Sequence, residues 1–293
     1  HPHYGRACWT THPSRTCSRV HRALAPKGTH MKFESYTAGT PSWVDLMASD
    51  QDAAIAFYCD LFGWECMKSG PDMGNYGMCY QGDVPVAGIG QMPDEIQFPP
   101  SWTTYISVDD AAAVVAAVGE AGGQVMADVM DVAGPGDALM GRMAVLADPS
   151  GGLFGVWEPH EHIGSGIANE PVSFAWNELL SRDAQASRDF FAQVFGYEWA
   201  AMPGTPDGME YFTAKVDGKD VLGAMDVPAE FPAEVPTHWQ TYFAVADTDD
   251  TLARAVASGG TALGPAFDSP FGRMAVIEDP QGARFSIMQM PSA

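Results

Sequence analysis

Two carboxylates in this sequence stand where they could exchange protons with a bound molecule. Asp45 follows Trp43 by two residues, and Glu178 follows Trp176 by two. Residues two apart on a strand point to the same face, so each acid shares a face with an indole ring. Burial against such a ring raises the pKa of a carboxyl group toward neutrality, as general acid–base catalysis requires. The alternative interpretation is that the acids only accept structural hydrogen bonds and that the tryptophans only fill a core.

Both pairs belong to a long internal duplication. SWTTYISVDD, at Ser101–Asp110, corresponds to HWQTYFAVAD at His238–Asp247. GRMAVLADPSGG, at Gly141–Gly152, corresponds to GRMAVIEDPQGA at Gly272–Ala283. The order of the segments is the same in both copies, and a joint containing Pro and Gly, at Glu158–Pro171, separates them. The pattern predicts two copies of one fold.

Each copy predicts one series of elements twice. In the first copy, the strand that contains Trp43 leads into a helix that Asp50 caps and Gly63 ends. Three short strands follow, and a strand at Thr103 then begins a second helix and three more strands. The predicted unit is therefore βαβββ, used four times in the chain.

The motifs that follow the first strands and join the last ones are similar to those of a known superfamily. D-x3-A-x2-F-Y-x3-F-G-W occupies Asp50–Trp64 and has a variant at Asp183–Tyr197, while D-P-x-G occupies Asp148–Gly151 and Asp279–Gly282. Together with the βαβββ units, they resemble the vicinal oxygen chelate superfamily, which includes glyoxalase, extradiol dioxygenases and bleomycin-binding resistance proteins. Within it, the chain looks most similar to two-domain actinobacterial proteins of the glyoxalase-like or hydroxylase type.

The resemblance implies an α+β fold with two tandem domains, at residues 40–159 and 171–291, joined by a linker at 160–170. Each domain would be a cup-shaped mixed sheet, made from two βαβββ units with helices outside, that holds a ligand or a metal. Residues 1–30 carry five basic residues, no acid and no hydrophobic periodicity, so we interpret them as a disordered or artificially added leader.

The resemblance also implies where a metal would bind, on the first, fifth and last strands of each cup. The corresponding positions are Trp43, Thr103 and Gly155 in the first copy, and Trp176, Gln240 and Ser286 in the second. Indole, hydroxyl and glycine are poor ligands for a divalent cation, and only the Gln could coordinate one. We therefore predict no metal and no cofactor, with a divalent metal at shifted positions as the alternative.

Strand alternation predicts the residues that line the two cups. The catalytic candidates are Asp45 and Glu178; the ligand-binding candidates are Trp43, Thr103, Tyr105 and Trp157 in the first cup, and Trp176, Gln240, Tyr242 and Met288 in the second. Aromatic walls of this kind suit a flat, largely apolar ligand. The first copy also has a nine-residue loop, VAGPGDALM, where the second has three residues, which favours the first cup as the more elaborated site.

Two histidines lie in the joint, at His160 and His162, near Glu158 and Glu161. A metal site there is conceivable, but exposed polar linker is the more common role of such residues.

Composition limits the partners and the location. The net charge is −22, and the chain after residue 30 has ten Lys and Arg against 37 Asp and Glu, or about −27. Such a surface disfavours nucleic acid and anionic membranes as partners. Cys59, Cys66 and Cys79 show neither even pairing nor metal-ligand spacing, so free thiols and a cytoplasmic location are predicted.

Three functions remain open on this sequence. The leading hypothesis is a metal-independent enzyme that moves a proton on an aromatic or polyketide-like small molecule, in an isomerisation, ring closure or lyase-like step. The second is a protein that sequesters a drug or metabolite without catalysis. The third is a metal-dependent glyoxalase, lyase or dioxygenase. The expected partner is a small molecule, and either a monomer or a homodimer is consistent with fused copies.

Overall fold

A computed structural model describes residues 32–95, 98–203, 205, 209–229 and 231–291. The predicted leader at 1–30 lies outside these residues. The elements of the first domain are β1 (Pro41–Ala48), α1 (Gln51–Phe62), β2 (Glu65–Lys68), β3 (Gly77–Gln81), β4 (Val84–Gln91), β5 (Ser101–Ser107), α2 (Ala111–Glu120), β6 (Gln124–Ala133), β7 (Leu139–Ala147) and β8 (Leu153–Pro159). Short 3₁₀ turns occupy Pro71–Met73 and Pro135–Asp137.

The second domain repeats this series. Its elements are β9 (Phe174–Ser181), α3 (Ala184–Phe195), β10 (Glu198–Ala201), β11 (Tyr211–Val216), β12 (Lys219–Asp226), β13 (His238–Ala244), α4 (Thr248–Ala257), β14 (Thr261–Ala262), β15 (Phe267–Ser269), β16 (Gly272–Glu278) and β17 (Arg284–Gln289). The added short strand β15 pairs with β16.

Each domain forms one mixed sheet with the same connectivity. The strand order is β2-β3-β4-β1-β5-β8-β7-β6 in the first sheet and β10-β11-β12-β9-β13-β17-β16-β14 in the second. In both sheets the first strand of the domain lies at the centre, parallel to one neighbour and antiparallel to the other. The predicted α+β fold with four βαβββ units is confirmed.

Local sequence determines where the leading helices begin and end. The Asp50 side chain accepts a hydrogen bond from the backbone N–H of Ala53, and Gly63 ends the helix with φ at 73°. Asp183 and Gly196 do the same for α3. A carboxylate cap satisfies an orphan N–H, and only glycine reaches a positive φ without strain, so these caps fix the helices over the sheets.

The two domains share their hydrophobic cores. One core packs Phe57 and Phe62 of α1 with Phe243 of β13 and Phe285 of β17. The other packs helices α2 and α3 against each other.

Hydrogen bonds cross between the domains in the same pattern. The Tyr58 hydroxyl donates to Asp279 Oδ2 at 3.0 Å, and the Ser187 hydroxyl donates to Asp148. Each D-P-x-G aspartate therefore binds a helix of the other domain. Each core contains one βαβββ unit from the first copy and one from the second.

The cysteine prediction is wrong at two positions. Cys66 and Cys79 form a disulfide, because β2 and β3 place them directly opposite each other with Cα atoms 4.0 Å apart. Their sequence spacing alone does not reveal this register. Cys59 is the free thiol among the described residues. The cytoplasmic location rested on free thiols and stays a prediction. No helix in the described part of the chain is long and apolar enough to cross a membrane.

Candidate functional site

The first cup has a buried carboxylate at its centre. Asp45 lies on β1, 5% exposed, and its Oδ2 accepts hydrogen bonds from the hydroxyls of Tyr76 and Tyr105, each at 3.2 Å. Its other oxygen, Oδ1, is buried without a hydrogen-bond partner among the described residues. One oxygen is therefore held by two hydroxyls, while the second is buried without such a bond.

An indole completes a chain of hydrogen bonds to this carboxylate. Trp43 Nε1 donates to the Tyr76 hydroxyl at 3.0 Å, and that hydroxyl donates to Asp45. Tyr76 reaches this position because Gly88 of β4 lies beneath its hydroxyl, where any Cβ would collide. The indole thus orients the tyrosine, and the tyrosine orients the acid.

Burial changes the protonation of Asp45. Desolvation raises its pKa from an ordinary 3.8 to about 7, because a charged carboxylate loses its hydration in the cup. The hydroxyls of Tyr105 and Tyr76, which donate to Oδ2, and the nearby hydroxyl of Thr103, opposite on β5, partly oppose this shift. A carboxyl group with such a pKa can both accept and donate a proton near neutrality.

Aromatic side chains form the floor of the first cup. Trp43, Tyr105 and Trp157 form one buried cluster, and Val132 of β6 and Met140 of β7 pack against it. These two residues are the ends of the nine-residue segment that the sequence predicts as a loop, and the structure places both ends of that segment in strands. Gly155 on β8 permits the arrangement, because a Cβ there would run into the Tyr105 ring.

A residue of the linker also enters the first cup. The His162 ring stands edge-on to Trp43 at 4.8 Å between centroids and to Trp157 at 5.7 Å. Trp157 Nε1 donates to the His162 carbonyl at 2.7 Å, which fixes the backbone. Burial lowers the pKa of His162 to about 4, so the ring is neutral at physiological pH. The interpretation of this residue as exposed linker is wrong.

The second cup repeats the central arrangement. Trp176 Nε1 donates to the Tyr211 hydroxyl at 2.7 Å, and the Tyr242 hydroxyl donates to Glu178 Oε1 at 3.0 Å. Burial raises the pKa of Glu178, and hydrogen bonds from Tyr211 and Tyr242 oppose the shift. Gly223 leaves room for Tyr211 just as Gly88 does for Tyr76.

The polar side chains of the second cup bind one another. Gln240 Nε2 donates to the Ser286 hydroxyl at 3.0 Å, and both residues are buried. None of the polar atoms of Glu178, Gln240 or Ser286 is buried without a partner. Met288 packs beside Tyr242 in a small cluster with Met274. Among the described residues, the second cup therefore leaves no fully buried polar atom of these three side chains unpaired.

The positions that would hold a metal in this fold do not suit one. Trp43 and Trp176 use their only polar atoms to donate to tyrosines, and an indole N–H cannot coordinate a cation. Gln240 donates through its Nε2 to Ser286 and could offer a cation only its Oε1, and Gly155 offers no side chain. In the described ranges, no three His, Cys, Asp or Glu side chains come close enough to hold an ion. These positions therefore do not form a metal site of the kind that the resemblance implies.

The structure brings the predicted residues together on two faces. Asp45, Trp43, Thr103, Tyr105 and Trp157 lie on the concave face of the first sheet, and Glu178, Trp176, Gln240, Tyr242 and Met288 lie on that of the second. Two surface depressions, one beside Arg273 and Gln289 and one beside Gln51 and Gln91, lie away from these residues. The roles of these residues stay predictions.

Sequence reasoning missed Tyr76 and Tyr211, and it considered His162 only as a metal ligand or as linker. The tyrosines recur at corresponding positions of the two copies, just before β3 and at the start of β11, and that recurrence could have indicated them. His162 gives no such signal, because the path of a linker has no periodicity.

Comparisons with known proteins support the repeated fold. The model of the Glyoxalase/Bleomycin resistance protein/Dioxygenase superfamily matches residues 40–156 and 173–287. A Mycobacterium tuberculosis protein named "Putative glyoxylase CFP32" is 41% identical over 263 residues, or 88% of this chain and 97% of that protein. The anthracycline biosynthesis protein DnrV of Streptomyces peucetius is 34% identical over 272 residues, or 87% of this chain and 94% of that protein.

Solved structures show the same architecture at low identity. The Mn(II)-bound glyoxalase of Novosphingobium aromaticivorans has a TM-score of 0.59 at 18% identity, covering 85% of this chain and 82% of that one. A variant of homoprotocatechuate 2,3-dioxygenase from B. fuscum has a TM-score of 0.62 at 14% identity, covering 91% and 74%. With both halves matched by the family model, the chain belongs to the glyoxalase/bleomycin resistance protein/dioxygenase superfamily.

Proposed function

We propose that this protein catalyses a proton transfer on an aromatic, polyketide-like ketone in its first cup, without a metal, as in an isomerisation or ring closure. Asp45 is the general acid and base. Glu178 is the corresponding candidate in the second cup, with a smaller role because its cup is satisfied internally.

One observation carries this proposal: the asymmetric bonding of the Asp45 carboxylate. Two tyrosine hydroxyls hold Oδ2, while Oδ1 accepts no hydrogen bond from any residue that the structure describes, and burial brings the pKa to about 7. A purely structural carboxylate would use both oxygens, since a buried unpaired acceptor costs about 1–3 kcal/mol. This cost is understandable if Oδ1 binds a ligand.

The proton transfer needs no further reactant. Ionised Asp45 takes a proton from the carbon next to the ligand carbonyl, and the electrons of the broken C–H bond form the C=C bond of an enolate. The protonated Oδ1 then returns the proton to another carbon or to the oxygen. General acid–base catalysis of this kind contributes about 10²–10⁴-fold.

The choice of ligand rests on the walls and on the relatives. Trp43, Tyr105 and Trp157 offer flat apolar surface that suits a polycyclic ring system. The strongly acidic chain disfavours an anionic ligand. The name of the Streptomyces peucetius relative refers to anthracycline biosynthesis, a class with such rings.

The test is solvent exchange and turnover with an anthracyclinone-type ketone as the probe. Protein dialysed against a chelator should incorporate deuterium from D2O next to the ketone, as read by mass spectrometry, and metal content should stay far below one ion per chain. Asp45→Asn should remove this activity, whereas Asp72→Asn, at an exposed aspartate, should keep it.

Two outcomes would overturn the proposal. Activity that returns only with a divalent metal would favour a metal-dependent enzyme. Tight binding of the probe with neither exchange nor product would favour a sequestering protein.

A further inference from the structure

Two polar atoms of the first cup are buried without partners: Asp45 Oδ1 and His162 Nε2. Buried polar atoms in native proteins are nearly always hydrogen-bonded, so each exception asks for an explanation. The proposed function accounts for the carboxylate oxygen and leaves the imidazole nitrogen unexplained.

Both residues are connected to the same indole. The His162 ring lies edge-on against Trp43, and Trp43 connects through Tyr76 to Asp45. The carboxylate and the imidazole are therefore parts of one cup, although they come from the first strand and from the linker.

The backbone and the ring of His162 are both held in place, while its Nε2 is left without a hydrogen bond among the described residues. The His162 N–H donates to the Met140 carbonyl at 3.0 Å, and its carbonyl accepts from Trp157 at 2.7 Å. The ring makes aromatic contacts but no hydrogen bond through Nε2. A neutral imidazole fixed in this way can present an N–H to a ligand at no charge.

Neither the other linker histidine, His160, nor the second cup shares the environment of His162. The His160 ring is exposed, and its Nε2 lies 3.3 Å from Glu158. In the second cup, no ring among the described residues stacks on Trp176, and the buried polar atoms of Glu178, Gln240 and Ser286 are paired.

We propose that His162 is a ligand-contacting residue of the first cup, where its Nε2–H donates a hydrogen bond to the carbonyl oxygen of a planar aromatic ketone packed against Trp43. This inference rests on the proposed function and deepens it. When Asp45 Oδ1 takes the proton from carbon, the carbonyl oxygen gains the negative charge, and the His162 N–H stabilises it.

The test compares two probes that differ only in the carbonyl: 2-acetylnaphthalene and 2-ethylnaphthalene. His162→Ala should weaken the binding of 2-acetylnaphthalene about tenfold, as expected for one lost hydrogen bond to a carbonyl in a dry site. It should leave 2-ethylnaphthalene unchanged or bound more tightly. Isothermal titration on the full chain measures both affinities.

Two further variants make the result specific. His162→Gln, whose amide can donate, should restore part of the preference for the ketone. His160→Ala is the matched control and should change neither affinity. In the exchange assay, His162→Ala should lower kcat more than it raises KM.

Three results would overturn the inference. If His162→Ala increased the affinity for both probes equally, the ring would only occupy space in the cup. If it decreased both affinities equally, the ring would only support the structure. Failure of the wild type to prefer 2-acetylnaphthalene would also refute it. A kept ketone preference without proton exchange would refute the proposed function alone, and exchange that needs Asp45 and ignores His162 would refute this inference alone.

Discussion

The two cups have the same strands and the same Trp–Tyr–carboxylate arrangement, yet they differ in what remains unbonded. In the first, Asp45 and His162 each leave one buried polar atom without a partner. In the second, Gln240 and Ser286 bind each other, and the tyrosines engage Glu178. Duplication thus produced one site with free bonding capacity and one that is internally complete. The comparison teaches that the residue types at the centre of a cup do not identify the functional copy, whereas their unsatisfied atoms can.

The largest expected difference between the two cups is in their contribution to catalytic activity. Asp45→Asn should lower kcat by about 10²–10⁴-fold, since the proton acceptor is lost, while Glu178→Gln should change it by less than about threefold. Wild-type activity should rise as pH rises through about 7, where Asp45 ionises. Steady-state exchange rates from pH 5 to 9 measure both effects. Equal losses in the two variants would show that the cups share the chemistry.

Stability against pH gives the next largest effect. The pKa of Asp45 is about 7 when folded and 3.8 in its ordinary state, so the carboxyl group penalises folding as pH rises between these values. At about 1.36 kcal/mol per pH unit, the penalty reaches about 4 kcal/mol above pH 7. Urea unfolding should therefore show that the free energy of unfolding of Asp45→Asn, relative to the wild type, increases by up to this amount between pH 4 and 8.

Glu178→Gln should show a gain in the same direction, because burial raises that pKa as well. A stability difference that stays flat from pH 4 to 8 would contradict the burial of Asp45 as a proton-binding group.

A smaller difference between the copies lies behind the cups. Tyr58 accepts from Trp102 Nε1 at 3.1 Å, but the corresponding residue of α3 is Phe191, and Trp239 Nε1 is buried without a partner. Tyr58→Phe should cost about 1–3 kcal/mol, because it leaves the Trp102 indole unpaired. Phe191→Tyr should stabilise the fold by up to about 1 kcal/mol. Chemical denaturation at pH 7 measures both, and a cost below about 0.5 kcal/mol for the first would refute the assignment.

The smallest expected effect concerns the tyrosines that connect indole and acid. Tyr76→Phe removes a hydrogen bond that lowers the pKa of Asp45, so that pKa should rise further and stability should fall by about 1 kcal/mol. Tyr211→Phe should raise the pKa of Glu178 in the same way. Carbon-13 NMR titration of the two carboxyl groups separates the cups. An unchanged pKa in both variants would show that the tyrosines only fill space.

Much of the fold could be predicted from the sequence because its signals are local. The helix caps at Asp50 and Asp183, the repeated motifs and the strand alternation all act over a few residues. Alternation alone brought Asp45 and Trp43 to one face. The Cys66–Cys79 disulfide depends on the register of two strands, which no local pattern fixes. His162 depends on the path of a linker, and that path is set by contacts with Met140 on β7 and Trp157 on β8, which no sequence pattern indicates.

The shared cores have a consequence for how this chain can change during evolution. A substitution at Phe62 or Phe285 changes the packing of both copies, because each core contains residues from both copies. The central acids of the cups bind tyrosines of their own copy, Asp45 with Tyr76 and Tyr105 and Glu178 with Tyr242, so they can be replaced one cup at a time. In the duplicated chain, substitutions should therefore accumulate slowly in the cores, while the two cup surfaces can change independently of each other. One cup can acquire a new ligand while its twin keeps the old scaffold intact.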